Sequence, residues 1–391
     1  MQRFAQSPTE PAFVQDPYPF YARLRAAGDL AWWEDYAMPC AASHAAVHAL
    51  LRDRRFGRER PADLVPPVPP HLAPFYRVED HSMLELDGPR HARLRGLVLR
   101  AFTSRRIAAL GPEIAALAHD LIDGLPTDRP FDLLPGFAQK LPVIVIARLL
   151  GVPEDMAGRL LHWSNAMVAM YQAGRSRAVE LAAAEAAEAF AAFLRGYMDA
   201  RRDDPRDDLI THLIAAEEDG ARLSTDELIA TCILLLNAGH EATVHTIGNG
   251  VGALLEHGQS VTPDTAASAT EEILRFDPPL HMFTRIAHED AEVFGHRFYR
   301  GDEVALLLAS AARDPAVCAA PNRFDPSRAS APHLSFGGGP HFCVGAPLAR
   351  LELQIALPIL FDRLPGLRLA EAPRYAPTYH FHGLSALWLT R

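Results

Sequence analysis

Apolar residues recur at three- and four-residue intervals through Arg105–Leu125, Arg175–Arg202 and Pro347–Leu364, segments rich in Ala, Leu, Arg and Glu, and this spacing predicts helices. A further helix opens at Ser224-Thr-Asp-Glu227, a capping-box pattern, and continues to about Leu255. At 1.5 Å per residue it would be roughly 48 Å long, enough to cross a molecule of this size. Strand-like stretches are fewer: Glu292–Tyr299, Glu303–Leu308 and the tail Leu384–Leu389. Pro61–Pro74 holds six prolines in fourteen residues and cannot be regular helix. His257–Ala267 is a second irregular connector. Asp314–Pro340 is a third, carrying Pro315, Pro321, Pro326, Pro332 and Pro340. The pattern therefore predicts a mainly α fold with a small β-rich region.

Composition narrows the function classes. A chain of 391 residues, 49% apolar and 22% charged, is globular and long enough to bury a core without staples. Length alone would suggest two or three domains. The net charge, 38 − 48 = −10, argues against a nucleic-acid partner. Only Lys140 is a lysine, so 38 − 1 = 37 of the basic residues are arginines, which warns against over-reading any one arginine cluster. Cys40, Cys232, Cys318 and Cys343 form no CxxC and fit a reducing cytosol. The N-terminal stretch lacks the basic and apolar regions of a secretory signal, and the most apolar run, Leu228–Leu236, is far below the ~18 residues needed to span a bilayer. A cytoplasmic protein without a membrane partner is expected.

The long proline-bearing loop ends in Phe336-Gly-Gly-Gly-Pro-His341-Phe-Cys343-Val-Gly345-Ala-Pro. Three glycines permit a tight turn and close approach to a flat ligand. Cys343 falls at the start of a predicted helix, where backbone N–H groups favour thiolate, a soft ligand for a transition metal. A bare GGG-x-x-x-C would more often mark a buried structural cysteine after a glycine-rich turn. The complete pattern FxxGxHxCxG carries more information.

That pattern resembles the haem-binding loop of cytochrome P450 monooxygenases, which implies that Cys343 is the axial thiolate. By the same resemblance Phe336 packs beside the sulfur, Gly345 lets the helix approach the porphyrin, and His341 meets a haem propionate. Three further segments match in order. Glu272-Ile-Leu-Arg275 is similar to the family's ExxR, and Pro321-Asn-Arg323-Phe324-Asp325-Pro326 to the loop whose arginine joins that pair in a buried triad. Asp87-Gly-Pro-Arg-His91-Ala-Arg-Leu-Arg95 resembles the bacterial HxxxR helix, which places His91 and Arg95 at the propionates together with Arg285. Ala238-Gly239-His240-Glu241-Ala242-Thr243 resembles the oxygen-binding groove of the central helix, Gly239 leaving room over the iron and Glu241 serving proton delivery.

The sequence departs from the family pattern at three places. Ala242 stands where a threonine usually follows the acid, and Thr243, one residue on, is rotated by about 100°. His257–Glu271 is several residues short. Ala312 precedes Arg-Asp-Pro where Asn is common.

Motifs spread from Asp87 to Arg350 override the length prior and imply a single cytochrome P450 domain over residues 1–391. The implied cofactor is haem b, iron protoporphyrin IX. The implied reaction inserts one oxygen atom from O2 into a small, largely apolar organic substrate. No nucleotide-binding GxGxxG unit is present, so electrons from NAD(P)H should arrive through a separate ferredoxin or flavodoxin with its reductase. Arg90, Arg93, Arg95, Arg100, Arg105 and Arg106, six arginines with no acid between Gly88 and Pro112, are expected to form its docking face. By family position the substrate pocket draws on Pro66–Leu84, Leu160–Tyr171, Asn237, Ala238, Leu280–Phe283 and Tyr379–His382. A peroxide-driven haem-thiolate peroxygenase and a non-catalytic haem sensor are the alternatives.

Overall fold

The computed structural model describes residues 1–218, 221–328 and 332–391. The longest helix, Thr225–Glu256, owes its start to two reciprocal bonds: Ser224 N–H donates to Glu227 Oε2 at 2.8 Å, and Glu227 N–H to Ser224 Oγ at 3.2 Å. From Leu228 to Leu254 it buries residues on every side, so it lies inside the core instead of along its surface. Helices Lys140–Leu150, Ala157–Val168, Arg177–Asp203 and Ala266–Phe276 pack around it. Gly250 allows the last of these to come close: a Cβ there would stand 2.9 Å from Ile273 side-chain carbons.

Two of the other predicted helices form within a few residues of their expected ends, as Arg177–Asp203 and Ala346–Arg363. Arg105–Leu125 does not form one helix. It divides into Ser104–Ala109 and Gly111–Asp123, because Pro112 has no N–H to continue the ladder and instead occupies a first-turn position. Glu292–Tyr299 is likewise two strands, Ala291–Val293 and His296–Phe298, folded back through Phe294 and Gly295, both at positive φ. The tail also splits: Leu384–Ala386 pairs with Arg374–Tyr375, and Trp388–Thr390 lies between Arg368–Leu369 and Phe131–Asp132.

The largest sheet runs in the order Arg3–Phe4, Leu30–Trp33, Met38–Ala41, Glu303–Leu307, Met282–Ala287, Phe56–Gly57. Its central antiparallel pair registers Glu303 with Ile286 and Leu307 with Met282, which places Arg285 opposite Val304. Asp314–Pro340 crosses the molecule without a helix or strand until the turn Gly339–His341; residues 329–331 of it lie outside the described residues.

Glu272 and Arg275 anchor that loop. Arg275 Nε donates to Glu272 Oε2 at 2.7 Å and its Nη2 to Oε1 at 2.8 Å, with both residues buried. The remaining guanidinium donors reach the carbonyls of Ala312, Pro321 and Arg323. The third charge is not Arg323, as the sequence suggested. That side chain is 72% exposed and faces Asp325, whereas Arg328 Nε lies 3.4 Å from Glu272 Oε2. Five residues further along, the chain has turned inward, so Arg323 contributes only its carbonyl.

Removing one partner of a buried ion pair costs about 3–5 kcal/mol, because the other charge is left uncompensated. Glu272→Gln and Arg275→Ala are therefore expected to lower the denaturant midpoint strongly, and Arg328→Ala to a smaller extent. Arg323→Ala should stay within about 0.5 kcal/mol of the parent chain. Equal losses for Arg323→Ala and Arg328→Ala in equilibrium unfolding would contradict this assignment.

Candidate active site

Cys343 is held by backbone on both sides. Its N–H donates to the Phe336 carbonyl at 3.0 Å, closing the glycine loop into a narrow turn. Gly339 makes that turn possible: it has φ 65°, and a Cβ would come within 2.3 Å of the Leu51 carbonyl. The helix begins at Ala346 with Gly345 as its cap, two residues after the cysteine. A Cβ on Gly345 would lie 3.8 Å from Cys343 Sγ, an ordinary contact. Burial raises the Cys343 thiol above its ordinary pKa, although N–H groups of Gly345 and Ala346 and the charges of Arg95 and Arg350 act to lower it. The expected thiolate preference is thus outweighed by burial in the protein alone.

The Phe336 ring carries the Arg350 guanidinium 4.5 Å above its centroid. Arg350 is in turn clamped by Glu271 at 2.6 and 2.9 Å, and Glu271 also bonds His333 at 3.0 Å. Glu271, absent from the sequence reading, thereby ties the cysteine loop and its helix to the helix bearing Glu272. Its signal was its position beside the ExxR acid.

The residues expected at the propionates lie in one cluster. Arg95 donates to the Phe342 carbonyl at 2.6 Å, next to the cysteine. The rings of His91 and His341 lie 4.2 Å apart, tilted by 34°. His341 already has an acid: its Nε2 is 2.8 Å from Asp87 Oδ1, while N–H groups of Arg58 and Glu59 reach Asp87 Oδ2 at 2.5 and 2.7 Å. Burial holds His91 at about 4 and lowers Arg285 to about 10. Arg285 is 3% exposed, and its one hydrogen bond goes to the adjacent Thr284 carbonyl; among the described residues it has no acid within 4 Å. A buried guanidinium with no acid in ion-pair contact, on which the Asp87 and Glu85 charges act only from further away, fits the carboxylates of a porphyrin.

The central helix runs unbroken through Gly239, with no bulge to swing Thr243. Thr243 Oγ1 donates to the Gly239 carbonyl at 3.0 Å and Thr246 Oγ1 to that of Ala242 at 2.7 Å. A Cβ on Gly239 would meet the Ile146 side chain at 3.7 Å, an ordinary contact. Glu241 does not stand alone: its Oε1 is 3.1 Å from His245 Nε2, a partner the sequence reading missed although i, i+4 spacing signals it.

The pocket segments are more polar than expected. Tyr171 shares its hydroxyl with Glu79 at 3.3 Å and Glu85 at 3.5 Å, and Arg58 pairs with Glu85 at 2.5 Å. Burial and the nearby Glu85 charge push Glu79 up to about 8. These residues sit in or beside the proline-rich connector, where no periodicity marks facing. Tyr379 and His382 take part in further hydrogen bonds: Asp277 accepts from Tyr18 at 2.6 Å and Tyr375 at 2.7 Å and bonds His382 Nδ1 at 2.9 Å, while Tyr379 bonds Tyr21 at 2.8 Å.

The arginine face is also partly neutralised. Arg93 pairs with Glu227, Arg106 with Asp207 and Arg90 with Glu59. Acids distant in sequence fold onto it, so the local count overstated its charge.

Comparison with known proteins gives a consistent result. The family profile described as Cytochrome P450 matches residues 267–364. The biotin biosynthesis cytochrome P450 of Bacillus subtilis (strain 168) is 34% identical over 394 residues, spanning 99% of both chains. The cytochrome P450 monooxygenase PikC of Streptomyces venezuelae is 37% identical over 395 residues, covering 96% of this chain and 91% of that protein. The crystal structure of P450BioI in complex with an acyl carrier protein ligated to hexadec-9Z-enoic acid superposes with a TM-score of 0.91 at 34% identity, covering 97% of this chain and 99% of that one. Among the described residues no helix is long and apolar enough to cross a membrane.

Burial opposes ionisation of Glu271, but bonds from Arg350 and His333 outweigh it and hold the carboxyl at about 2; His341 and two N–H groups do the same for Asp87. Both folded values lie below the unfolded ones, 4.5 and 3.8, so this stabilisation is complete above them and disappears as pH falls towards 2. The melting temperature should drop over that window. Glu271→Gln should be less stable at neutral pH and show a shallower acid decline in scanning calorimetry.

Proposed function

The chain belongs to the cytochrome P450 family, and from that premise we propose that residues 1–391 form one haem b monooxygenase unit fed by separate redox partners in the cytoplasm. The observation that carries this reading is a backbone-held thiol on which Arg95 and Arg350 act, in a chain that also buries Arg285 with no acid in ion-pair contact among the described residues. Cys343 would ligate the iron, and Arg285, His91 and Arg95 would hold the propionates. His341, fixed by Asp87, would act as a neighbour to His91. When bound, the haem supplies oxygen activation, and thiolate ligation assists O–O cleavage.

What remains for the protein is binding, orientation and protons. Glu241 is the acid of the central helix, and Gly239, Ala242 and Thr243 shape the turn around it. The substrate is a small, largely apolar organic molecule with one polar end that meets the Tyr171–Glu79 pair. The acyl chain named with the P450BioI complex is one ligand of that kind. Electrons from NAD(P)H arrive through ferredoxin or flavodoxin, which docks on the exposed part of the arginine face. Arg105 is exposed and without an acidic partner among the described residues, and Leu99 and Phe342 add apolar surface at 46% and 43% exposure.

Cys343→Ser is expected to fold and to lose the red-shifted Soret band of the ferrous–CO complex; persistence of that band would mean that another residue ligates the iron. Arg105→Glu should slow reduction by ferredoxin by about tenfold at low salt, an effect that shrinks as salt is added. Substrate-induced spectral shifts in that variant should be unaltered. Equal loss of reduction and substrate binding would remove the docking assignment.

A further inference from the structure

The residue after the central acid, Ala242, has no hydroxyl. The two nearest threonines do not replace it. Thr243 gives its hydroxyl proton to the Gly239 carbonyl at 3.0 Å, and Thr246 gives its own to the Ala242 carbonyl at 2.7 Å. A threonine committed to its own helix in this way is a poor proton carrier.

Glu241 has a titratable partner instead. His245 lies one turn further on the same face, with its Nε2 3.1 Å from Glu241 Oε1. His240 Nδ1 is 3.7 Å from the other carboxylate oxygen, beyond hydrogen-bond range, and is almost completely buried. Glu241 and His245 are less sealed, with side chains 21% and 13% exposed. The C-terminal segment is shaped around the imidazole. A Cβ on Gly383 would fall 1.9 Å from His245 Nδ1, so only glycine leaves room for the ring. Asn249, one turn on, fastens the same segment by donating to the His382 carbonyl at 2.8 Å.

We propose that His245 is a positioning and relay residue that returns a proton to Glu241 after each delivery, in place of the hydroxyl missing at Ala242. This rests on the monooxygenase reading above. The imidazolium Nε2–H bond breaks and a Glu241 Oε1–H bond forms. The carboxylic acid then releases that proton at the reaction site. His245 regains one from water, so the dyad ends as it began and no electron moves. Burial alone would raise Glu241, but the hydrogen bond and charge of His245 and the charge of His240 leave it below its ordinary value. An ionised carboxylate needs such a donor to reload it. The titratable groups acting on Glu241 are these two histidines. The C-terminal segment presents Phe381 and the Gly383 backbone to His245, and helix Lys140–Leu150 presents Ile146 to Gly239.

The test uses haem-loaded protein and the variants His245→Gln and His245→Ala. An amide at this place can still hold Glu241 but cannot titrate. Product formed per NAD(P)H should fall by about tenfold in both variants, with the balance released as peroxide. In the parent protein that ratio should decline as pH rises, and in His245→Gln it should be flat. A readout independent of turnover is the C–O stretch of the ferrous–CO complex. It should shift with pH in the parent and not in His245→Gln or Glu241→Gln. Parental coupling and pH dependence in His245→Gln would overturn the relay. Loss of the thiolate-type Soret band in the parent protein would instead count against the family reading, and the pH-dependent stretch would still decide for or against the dyad.

Discussion

One turn of helix decides where the cysteine sits. Glu271 and Glu272 are adjacent, so their side chains diverge around the axis, and each grips a different part of the chain that leads to Cys343. Glu272 binds Arg275 and the Asp325 N–H at 2.8 Å. Arg275 then collects three carbonyls from the loop Asp314–Pro340. Glu271 takes Arg350, which lies beyond the cysteine. A loop without helix or strand would lose too much entropy to hold one conformation unaided. Fixed by charge-assisted bonds that are buried at Glu272 and partly exposed at Glu271, it becomes as well defined as a strand.

The same arrangement concentrates positive charge around the thiol. Arg95 and Arg350 both act on Cys343, and Arg285 lies buried within reach of the Asp87 charge. Burial nevertheless keeps the sulfur's pKa raised. Buried cations without an acid in contact are costly, which is why the cluster fits a dianionic, iron-bearing group.

The central helix follows a different rule. Its apolar faces bury it, and its few polar groups are spent locally, threonines on carbonyls one turn back and Asn249 on the C-terminal segment. Glu241 and His245 differ from these, because their partner atoms are each other. Polarity that remains paired and partly open in an otherwise dry helix is where protons can move.

The sequence alone was enough for the mainly α character, the long capped helix and the family, because periodicity, a capping box and a ten-residue cysteine pattern are all local. It also brought His91, Arg95, Arg285 and His341 to attention, though it could not say that Asp87 already holds His341. What it could not determine were partners made by chain reversal. Arg328 rather than Arg323 reaches Glu272, since the direction of a side chain in an irregular loop has no period to read. Glu79, Glu85 and Arg58 come together at Tyr171 from both sides of the proline-rich connector, a convergence with no period to read. The arginine-rich segment looked free of acids, and Glu227 and Asp207 arrive from more than a hundred residues away. Spacing along one helix can be counted from the sequence, whereas a contact between distant segments exists only once the core has placed them side by side.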